Sequence, residues 1–173
     1  MRGVVGKLNW ASREGMPQGA GDASLLAGTL PTPKVRDLTA ANAALRRLLQ
    51  NDVPIQIKPI PLANLGLLTF SDSSLGNAGQ GKTQLANMVC AVDKRIHLGH
   101  EADISIVAYR SHKNPRAASS TLLNESCALS ETLADAEWVA AWLGLAKSLD
   151  YDLRKRDQLN REIKLTSILT EKD

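Results

Sequence analysis

The chain has 173 residues, of which 43% are hydrophobic and 3% are aromatic, and it carries a formal net charge of +3. This length and apolar content suit one globular domain with a core of its own. Because few aromatic rings are present to stack on bases, the composition argues against a dedicated binder of single-stranded nucleic acid. The mild positive charge permits a polyanionic partner but does not require one.

The cysteines and the hydrophobic segments indicate the setting of the protein. Cys90 and Cys127 lack the C-x-x-C spacing of a zinc or redox site, so we expect two buried thiols in a reducing compartment. No apolar run approaches the length of a membrane span, and the N-terminal sequence MRGVVGKLNW lacks the apolar core of a signal peptide. We therefore expect an intracellular protein, cytoplasmic or nuclear, without a membrane partner.

The first third of the chain contains one well-signalled helix. Residues 15–33 are dense in Gly and Pro, which predicts an irregular linker. A helix is predicted over about 37–50 with Asp37 as its N-cap. Apolar residues recur there at helical spacing: Leu38, Ala41, Leu45, Leu48 and Leu49. Prolines at 54, 59 and 61 restrict the following segment, VPIQIKPIP, to an edge strand at best.

Three apolar segments of strand length follow in the middle of the chain. They are GLLTFSDSS at 66–74, TQLANMVCAV at 83–92 and DISIVAYRS at 103–111. Turn residues and charges link them, which predicts an antiparallel three-stranded meander over about 66–111. The two-residue period of a strand places Leu68, Phe70 and Asp72 on one face of the first strand.

The strongest helix signal begins after the SHKNPRAASS loop. Ser119 or Ser120 can cap this helix, which runs to about Ser148. Its predicted apolar stripe consists of Leu122, Leu129, Leu133, Ala136, Ala140 and Leu143. Glu125 lies on the side of that stripe, where a carboxylate without a partner is costly. We therefore expect a neighbouring group that compensates Glu125.

The segment GNAGQGKT at 76–83 matches the phosphate-loop pattern G-x-x-x-x-G-K-[ST]. A nucleotide site of this kind would use Gly76, Gly81, Lys82 and Thr83. It requires a strand that ends at the first glycine and a helix that starts at the lysine. The preceding strand ends several residues too early, the following residues favour a strand, and no later strand ends in an Asp for magnesium. A turn between two strands is the preferred interpretation, and nucleotide binding is the less favoured alternative.

The order of three motifs resembles the ribonuclease H domain of copia-type retrotransposon polyproteins. The motifs are FSDSSLGN, the Gly-rich turn after it, and YRSHKNPRAASSTLLNE. GKLNW near residue 6 and PTPKVRDLTAANAALRRL near residue 31 look like the segment that joins the reverse transcriptase to that domain. The resemblance spans roughly residues 3–145.

This resemblance implies an α/β fold of ribonuclease H type. The antiparallel meander would pack on the helix at 119–148, residues 1–60 would be the connection segment, and residues 61–173 a partial ribonuclease H-like domain truncated at its C-terminus. The strands that complete the family's sheet would be missing. The chain would then be a fragment of a Pol polyprotein.

The resemblance also implies a chemistry. In this family, carboxylates hold two Mg²⁺ or Mn²⁺ ions, which activate water and stabilise the leaving oxygen when the RNA strand of an RNA–DNA hybrid is hydrolysed. Carried over by motif, the catalytic residues and metal ligands here would be Asp72 and Glu125. The implied partners are an RNA–DNA hybrid or another nucleic acid, and the rest of the polyprotein.

The chain departs from the family's pattern at three places. Leu85 and Ala86 replace two glycines after the turn, and Asn124 replaces the Ala that precedes the family's Glu. The family also has a third Asp, on a strand that follows the helix, within a T-D-[AS]-K-S stretch. The segment AKSLDYDL echoes that stretch, but Leu145 stands in place of the Asp. We therefore predict no more than trace hydrolysis by this chain.

A second hypothesis is a non-catalytic, nucleic-acid-binding or interaction role. Four basic residues near the proposed site could contact backbone phosphate: Arg110, His112, Lys113 and Arg116. A basic tail adds Arg154, Lys155, Arg156, Arg161 and Lys164, which we interpret as the solvated face of an amphipathic helix. If the chain does cleave hybrids well, Asp150 or Asp152 is the acid expected to complete the site.

Overall fold

The computed structural model describes residues 1–51, 53–78, 82–116, 120–147, 152 and 154, and the backbone of 164–169. The chain divides into two compact units. The first comprises Met1–Ile55, Ser73–Ala86 and Arg110–Glu125, and the second comprises Gln56–Asp72, Asn87–Tyr109 and Ser126–Asp173. The boundary between the units passes through three strands and one long helix.

Three helices of the first unit pack around one apolar cluster. They are α1 (Arg2–Glu14), α2 (Ala20–Ala27) and α3 (Val35–Gln50). The buried members of the cluster are Val5, Leu8, Ala23, Leu26, Ala41, Ala44 and Leu48. The prediction of an irregular linker over 15–33 is wrong for α2. Burial of Ala23 and Leu26 in this cluster outweighs the weak helix propensity of the neighbouring glycines.

The predicted helix at about 37–50 is confirmed, and it begins two residues earlier, at Val35. Asp37 is therefore not the N-cap residue. It lies three residues after Lys34, whose backbone N–H donates a 2.8 Å hydrogen bond to the Asp37 carboxylate. This is one half of a capping box, in which an acid in the first turn reaches back to the residue at the N-cap.

The rest of the chain forms a four-stranded sheet and a long helix. The strands are β1 (Leu65–Ser74), β2 (Gln84–Asp93), β3 (Ile104–Lys113) and β4 (Lys164–Leu169), and helix α4 (Thr121–Lys147) precedes β4. The strand order is β3-β2-β1-β4. The predicted α/β class, with a three-stranded antiparallel meander and a long helix, is confirmed.

The prediction that the chain forms no strand after the long helix is wrong. β4 pairs with β1 in parallel, in a register that runs from Gly66 opposite Lys164 to Ser71 opposite Leu169. β4 has only six residues and follows a polar, basic stretch, so its hydrophobic pattern is weak. Pairing with a buried strand overrides the weak local preference, because strand propensity depends strongly on the neighbouring strands.

Strand β1 is buried on both of its faces within the second unit. Leu67 packs with Val89 of β2 and with Ala136 and Ala140 of α4. The next residue, Leu68, belongs to a separate cluster with Cys90 and Val92. Adjacent residues of β1 therefore contribute to different layers, as the two-residue period of a strand requires.

The buried side of α4 consists of small and polar residues rather than of the predicted leucine stripe. Ala136 and Ala140 are buried as predicted, but Leu122 is 76% exposed and Leu133 is 38% exposed. The buried residues recur every four positions: Asn124, Ala128, Thr132, Ala136 and Ala140. Residues four apart share one face of a helix, so this stripe of small and polar residues faces the interior. Val139 and the predicted Leu143 are partly buried and pack against the Leu67 cluster.

Candidate functional site

The Gly-rich segment after β1 is a turn between antiparallel strands. Gly76 has a left-handed backbone with φ of 76°, which favours glycine. The Asn77 side chain donates a 2.7 Å hydrogen bond to the Ser74 hydroxyl. The Ala78 N–H donates to the carbonyl of Lys82 at 2.9 Å, which closes the turn.

The structure does not provide the helix that a phosphate loop requires after Lys82. Strand β2 begins at Gln84 instead. Thr83 is buried, and its carbonyl accepts a 2.8 Å hydrogen bond from the N–H of Asn114. Because a strand rather than a helix follows Lys82, the nucleotide-binding alternative lacks the structure that it requires and is wrong. Gly81 lies outside the described residues.

Glu125 has the compensating neighbour that its position in the sequence led us to expect. The hydroxyl of Ser73, near the end of β1, donates a 2.8 Å hydrogen bond to Glu125 Oε1. Ser73 is buried and Glu125 is half-buried. Because Ser73 is neutral, the bond satisfies one carboxylate oxygen without supplying an opposite charge. A half-buried carboxylate with a polar neighbour is therefore present at the start of α4.

Asp72 is half-buried and immediately precedes Ser73 in β1. Successive side chains of a strand point to opposite faces, so Asp72 shares its face with Leu68 and Phe70, as predicted. The pairing of Asp72 with Glu125 as metal ligands stays a prediction. Among the described residues, no group of three or more His, Cys, Asp or Glu side chains could hold a metal ion.

The two other acids that we considered do not lie in a described acidic cluster. Asp150 lies outside the described residues. The carboxylate of Asp152 accepts a 3.0 Å hydrogen bond from the backbone N–H of Arg154 and lies 3.4 Å from the Arg154 side chain. Asp152 therefore makes local contacts with a residue of the basic tail.

Two buried asparagines form an amide bridge beside the start of α4. Asn114 follows β3 and is 1% exposed, and Asn124 lies in the first turns of α4 and is 0% exposed. The Asn114 side chain donates a 3.1 Å hydrogen bond to Asn124 Oδ1, and the Asn124 side chain donates to the carbonyl of Ser120 at 3.0 Å. The N–H of Arg116 donates to Asn114 Oδ1 at 2.9 Å.

The amide bridge lies next to the cap of α4. The hydroxyl of Ser120 accepts a 3.2 Å hydrogen bond from the N–H of Leu123, which confirms Ser120 as a cap, while Ser119 lies outside the described residues. Sequence reasoning singled out Asn124 only as a departure from the copia motif. It missed Asn114 and Ser73, because an Asn in a loop and a Ser in a strand carry no pattern of their own.

The predicted basic contacts differ in exposure. Arg110 and Arg116 are exposed, whereas His112 and Lys113 are half-buried. Lys113 lines an open cleft of about 450 Å³. The other residues around this cleft are Leu25, Gly28, Thr29, Pro31, Asn77 and Ala78.

The basic tail is described at two positions only. Arg154 is exposed, and Lys164 is the first residue of β4, so the predicted amphipathic helix does not extend to Lys164. Lys155, Arg156 and Arg161 lie outside the described residues.

The pKa values of Cys90 and Asp93, in the second unit, are shifted. Burial raises the pKa of the Cys90 thiol to about 11, so this thiol is unreactive near neutral pH. Hydrogen bonds from the Arg95 side chain and backbone lower the pKa of Asp93. Both shifts have structural causes, and neither points to a catalytic group.

None of the described helices combines the length and the apolar character that a membrane span needs.

Comparisons with known proteins provide no family for this chain. No protein family, curated protein or solved structure matches the chain.

Proposed function

We propose that this chain is related to the ribonuclease H domain of copia-type retrotransposon polyproteins, and that it binds an RNA–DNA hybrid with no more than trace hydrolysis. The observation that carries the proposal is the sheet order β3-β2-β1-β4, in which α4 precedes a fourth strand parallel to β1. A fourth strand beside β1 supplies part of the sheet that the motifs alone left incomplete. The motif FSDSSLGN covers the end of β1 and the turn after it, and STLLNE lies at the start of α4.

By motif, Asp72 and Glu125 are the proposed ligands of a divalent cation, because carboxylate oxygens are the ligands that Mg²⁺ prefers. Glu125 is hydrogen-bonded to Ser73, whose side chain points to the opposite face of β1 from Asp72, so the two acids are tested by separate substitutions. Glu125 has a second carboxylate oxygen besides the one that accepts from Ser73. When bound in such a site, divalent cations activate water and stabilise the leaving oxygen. Two carboxylates supply two negative charges against the four positive charges of a metal pair. They suit one weakly held, hydrated ion better than two.

A second function, non-catalytic contact with the nucleic-acid backbone, is supported by the exposure of Arg110 and Arg116. Arg110 is in β3, and Arg116 follows this strand by three residues. Guanidinium groups form paired hydrogen bonds with phosphate oxygens. Binding through such contacts weakens steeply with salt and needs no metal.

One experiment tests both functions. The chain is titrated with a fluorescent RNA–DNA hybrid at low and high salt, and cleavage is followed with Mg²⁺ or Mn²⁺ for the parent chain and for Asp72→Asn and Glu125→Gln. We expect binding that falls with salt and cleavage at trace level. Absence of binding at low salt would overturn both functions.

Robust cleavage that either substitution abolishes would show that another acid completes the site, and our expectation of trace activity would be wrong. Asp150 and Asp152 are the acids to substitute next, because they follow α4 most closely in the sequence.

A further inference from the structure

The amide bridge of Asn114 and Asn124 is a polar feature that the proposed hydrolysis does not use. Both side chains are almost fully buried, and burial of amide groups is favourable only when their hydrogen bonds are made. Here each side-chain amide donates one bond and accepts one, at distances between 2.9 and 3.1 Å. Two well-packed apolar side chains would fill the same space without this requirement.

The bridge joins three segments of the first unit. The Asn114 N–H donates to the carbonyl of Thr83, just before β2. The Asn114 side chain accepts from the Arg116 N–H in the loop after β3. The Asn124 side chain donates to the carbonyl of Ser120 at the start of α4. On either side of 117–119, Asn114, Arg116 and Ser120 are therefore each held by a hydrogen bond.

Arg116 combines a fixed backbone with an exposed side chain. Its N–H is bound to Asn114 Oδ1, while the residue itself is exposed. A loop that is ordered before binding loses less conformational entropy when the complex forms. An arginine in such a loop can present its guanidinium group to a phosphate at low cost.

We propose that Asn114 and Asn124 are positioning residues that hold the backbone of Arg116 ready to contact the phosphate backbone of a nucleic acid. This inference rests on the proposed nucleic-acid binding. Arg116 makes the contact, and the two asparagines act through it.

Affinity for an RNA–DNA hybrid tests the coupling between the bridge and Arg116. The variants are Arg116→Ala, Asn124→Ala and the double variant, with Arg116→Lys as the conservative variant. Arg36→Ala is the matched control, because the Arg36 side chain is 79% exposed in the first turn of α3. All are measured at low and at high salt.

We expect Arg116→Ala and Asn124→Ala each to weaken binding about threefold to tenfold at low salt, as loss of one phosphate contact does. The double variant should bind no more weakly than Arg116→Ala alone. Arg116→Lys should retain part of the affinity, and Arg36→Ala should bind like the parent. Unchanged affinity of Asn124→Ala, or a full additional loss in the double variant, would overturn the positioning role while leaving nucleic-acid binding intact.

Hydrogen exchange of the parent chain keeps the proposal testable if Asn124→Ala fails to fold. The Arg116 amide should be protected in the free protein and should remain equally protected when the hybrid is bound. Rapid exchange in the free protein, or protection gained only in the complex, would contradict a preformed loop. Failure of the parent chain to bind the hybrid at low salt would instead overturn the proposed function itself, and this inference with it.

Discussion

The α1–α3 cluster and the layer between β1 and α4 bury their residues in different ways. Large apolar residues such as Leu8 and Leu48 dominate the helical cluster. The second layer buries Thr69 of β1 and Thr132 of α4, and the Asn87 side chain donates a 2.8 Å hydrogen bond to Asp135. Polar groups in an interior cost stability unless they are paired, and natural proteins tend to accept such costs near functional sites. We therefore expect function to depend on buried polar groups, such as those of this layer and those at the start of α4, rather than on the helical cluster.

The largest expected effect is the loss of stability when a buried leucine in each region is replaced by alanine. This loss depends on how well the neighbouring side chains can fill the cavity that the substitution leaves. Leu67 is fully buried with Val89, Ala136 and Ala140, which are too short to fill the space that Leu67→Ala would leave, and of the side chains packed against this cluster only Leu143 is long. We expect Leu67→Ala to lower the free energy of unfolding by about 4 kcal/mol. Leu8→Ala should cost about 3 kcal/mol, because the helical cluster includes the flexible Met16.

Urea denaturation of both variants measures this difference. Leu122→Ala is the control, since Leu122 is mostly exposed and its truncation should change stability by less than about 0.5 kcal/mol. A larger cost for Leu8→Ala than for Leu67→Ala would show that the helical cluster, not the sheet layer, is the more rigidly packed region.

An intermediate effect is expected at the amide bridge. Asn124→Ala leaves the Asn114 side-chain donor buried without its acceptor, which should cost about 2 kcal/mol. The pair Asn114→Ala and Asn124→Ala should cost less than the sum of the single variants, because the second substitution removes the stranded donor. A double-mutant cycle by urea denaturation checks this. Additive costs would mean that the two side chains contribute independently.

The part of the fold that sequence could predict follows from periodicity. The meander and α3 have clear two-residue and helical patterns, and both were found. α1 and β4 have weaker hydrophobic patterns in the sequence. β4 depends on its pairing with β1. The stripe of α4 was misjudged because leucines outnumber the small and polar residues that in fact face inward. At the candidate site, Asp72 and Glu125 could be recognised by their motifs. Ser73 as the partner of Glu125, and Asn114 as the partner of Asn124, could not, because tertiary packing brings these pairs together.

The smallest expected effect concerns acid stability at the end of β2. Hydrogen bonds from Arg95 lower the pKa of Asp93 in the folded chain. The resulting stabilisation is present above the ordinary aspartate pKa of about 3.9 and is lost as the pH falls through the lower folded value. The thermal midpoints of the parent chain and Asp93→Asn should therefore converge as the pH is lowered below about 4. A difference that stays constant down to the lowest pH would contradict the role of the Asp93 charge.

We expect the β3–α4 loop and the start of α4, rather than the helical cluster, to contact a nucleic acid. NMR titration of the labelled chain with an RNA–DNA hybrid at low salt locates the contact. The amide signals of Arg110, Arg116 and Glu125 should shift and return when salt is added, while those of α1–α3 should not move. Shifts confined to α1–α3, or no shifts at all, would contradict this expectation.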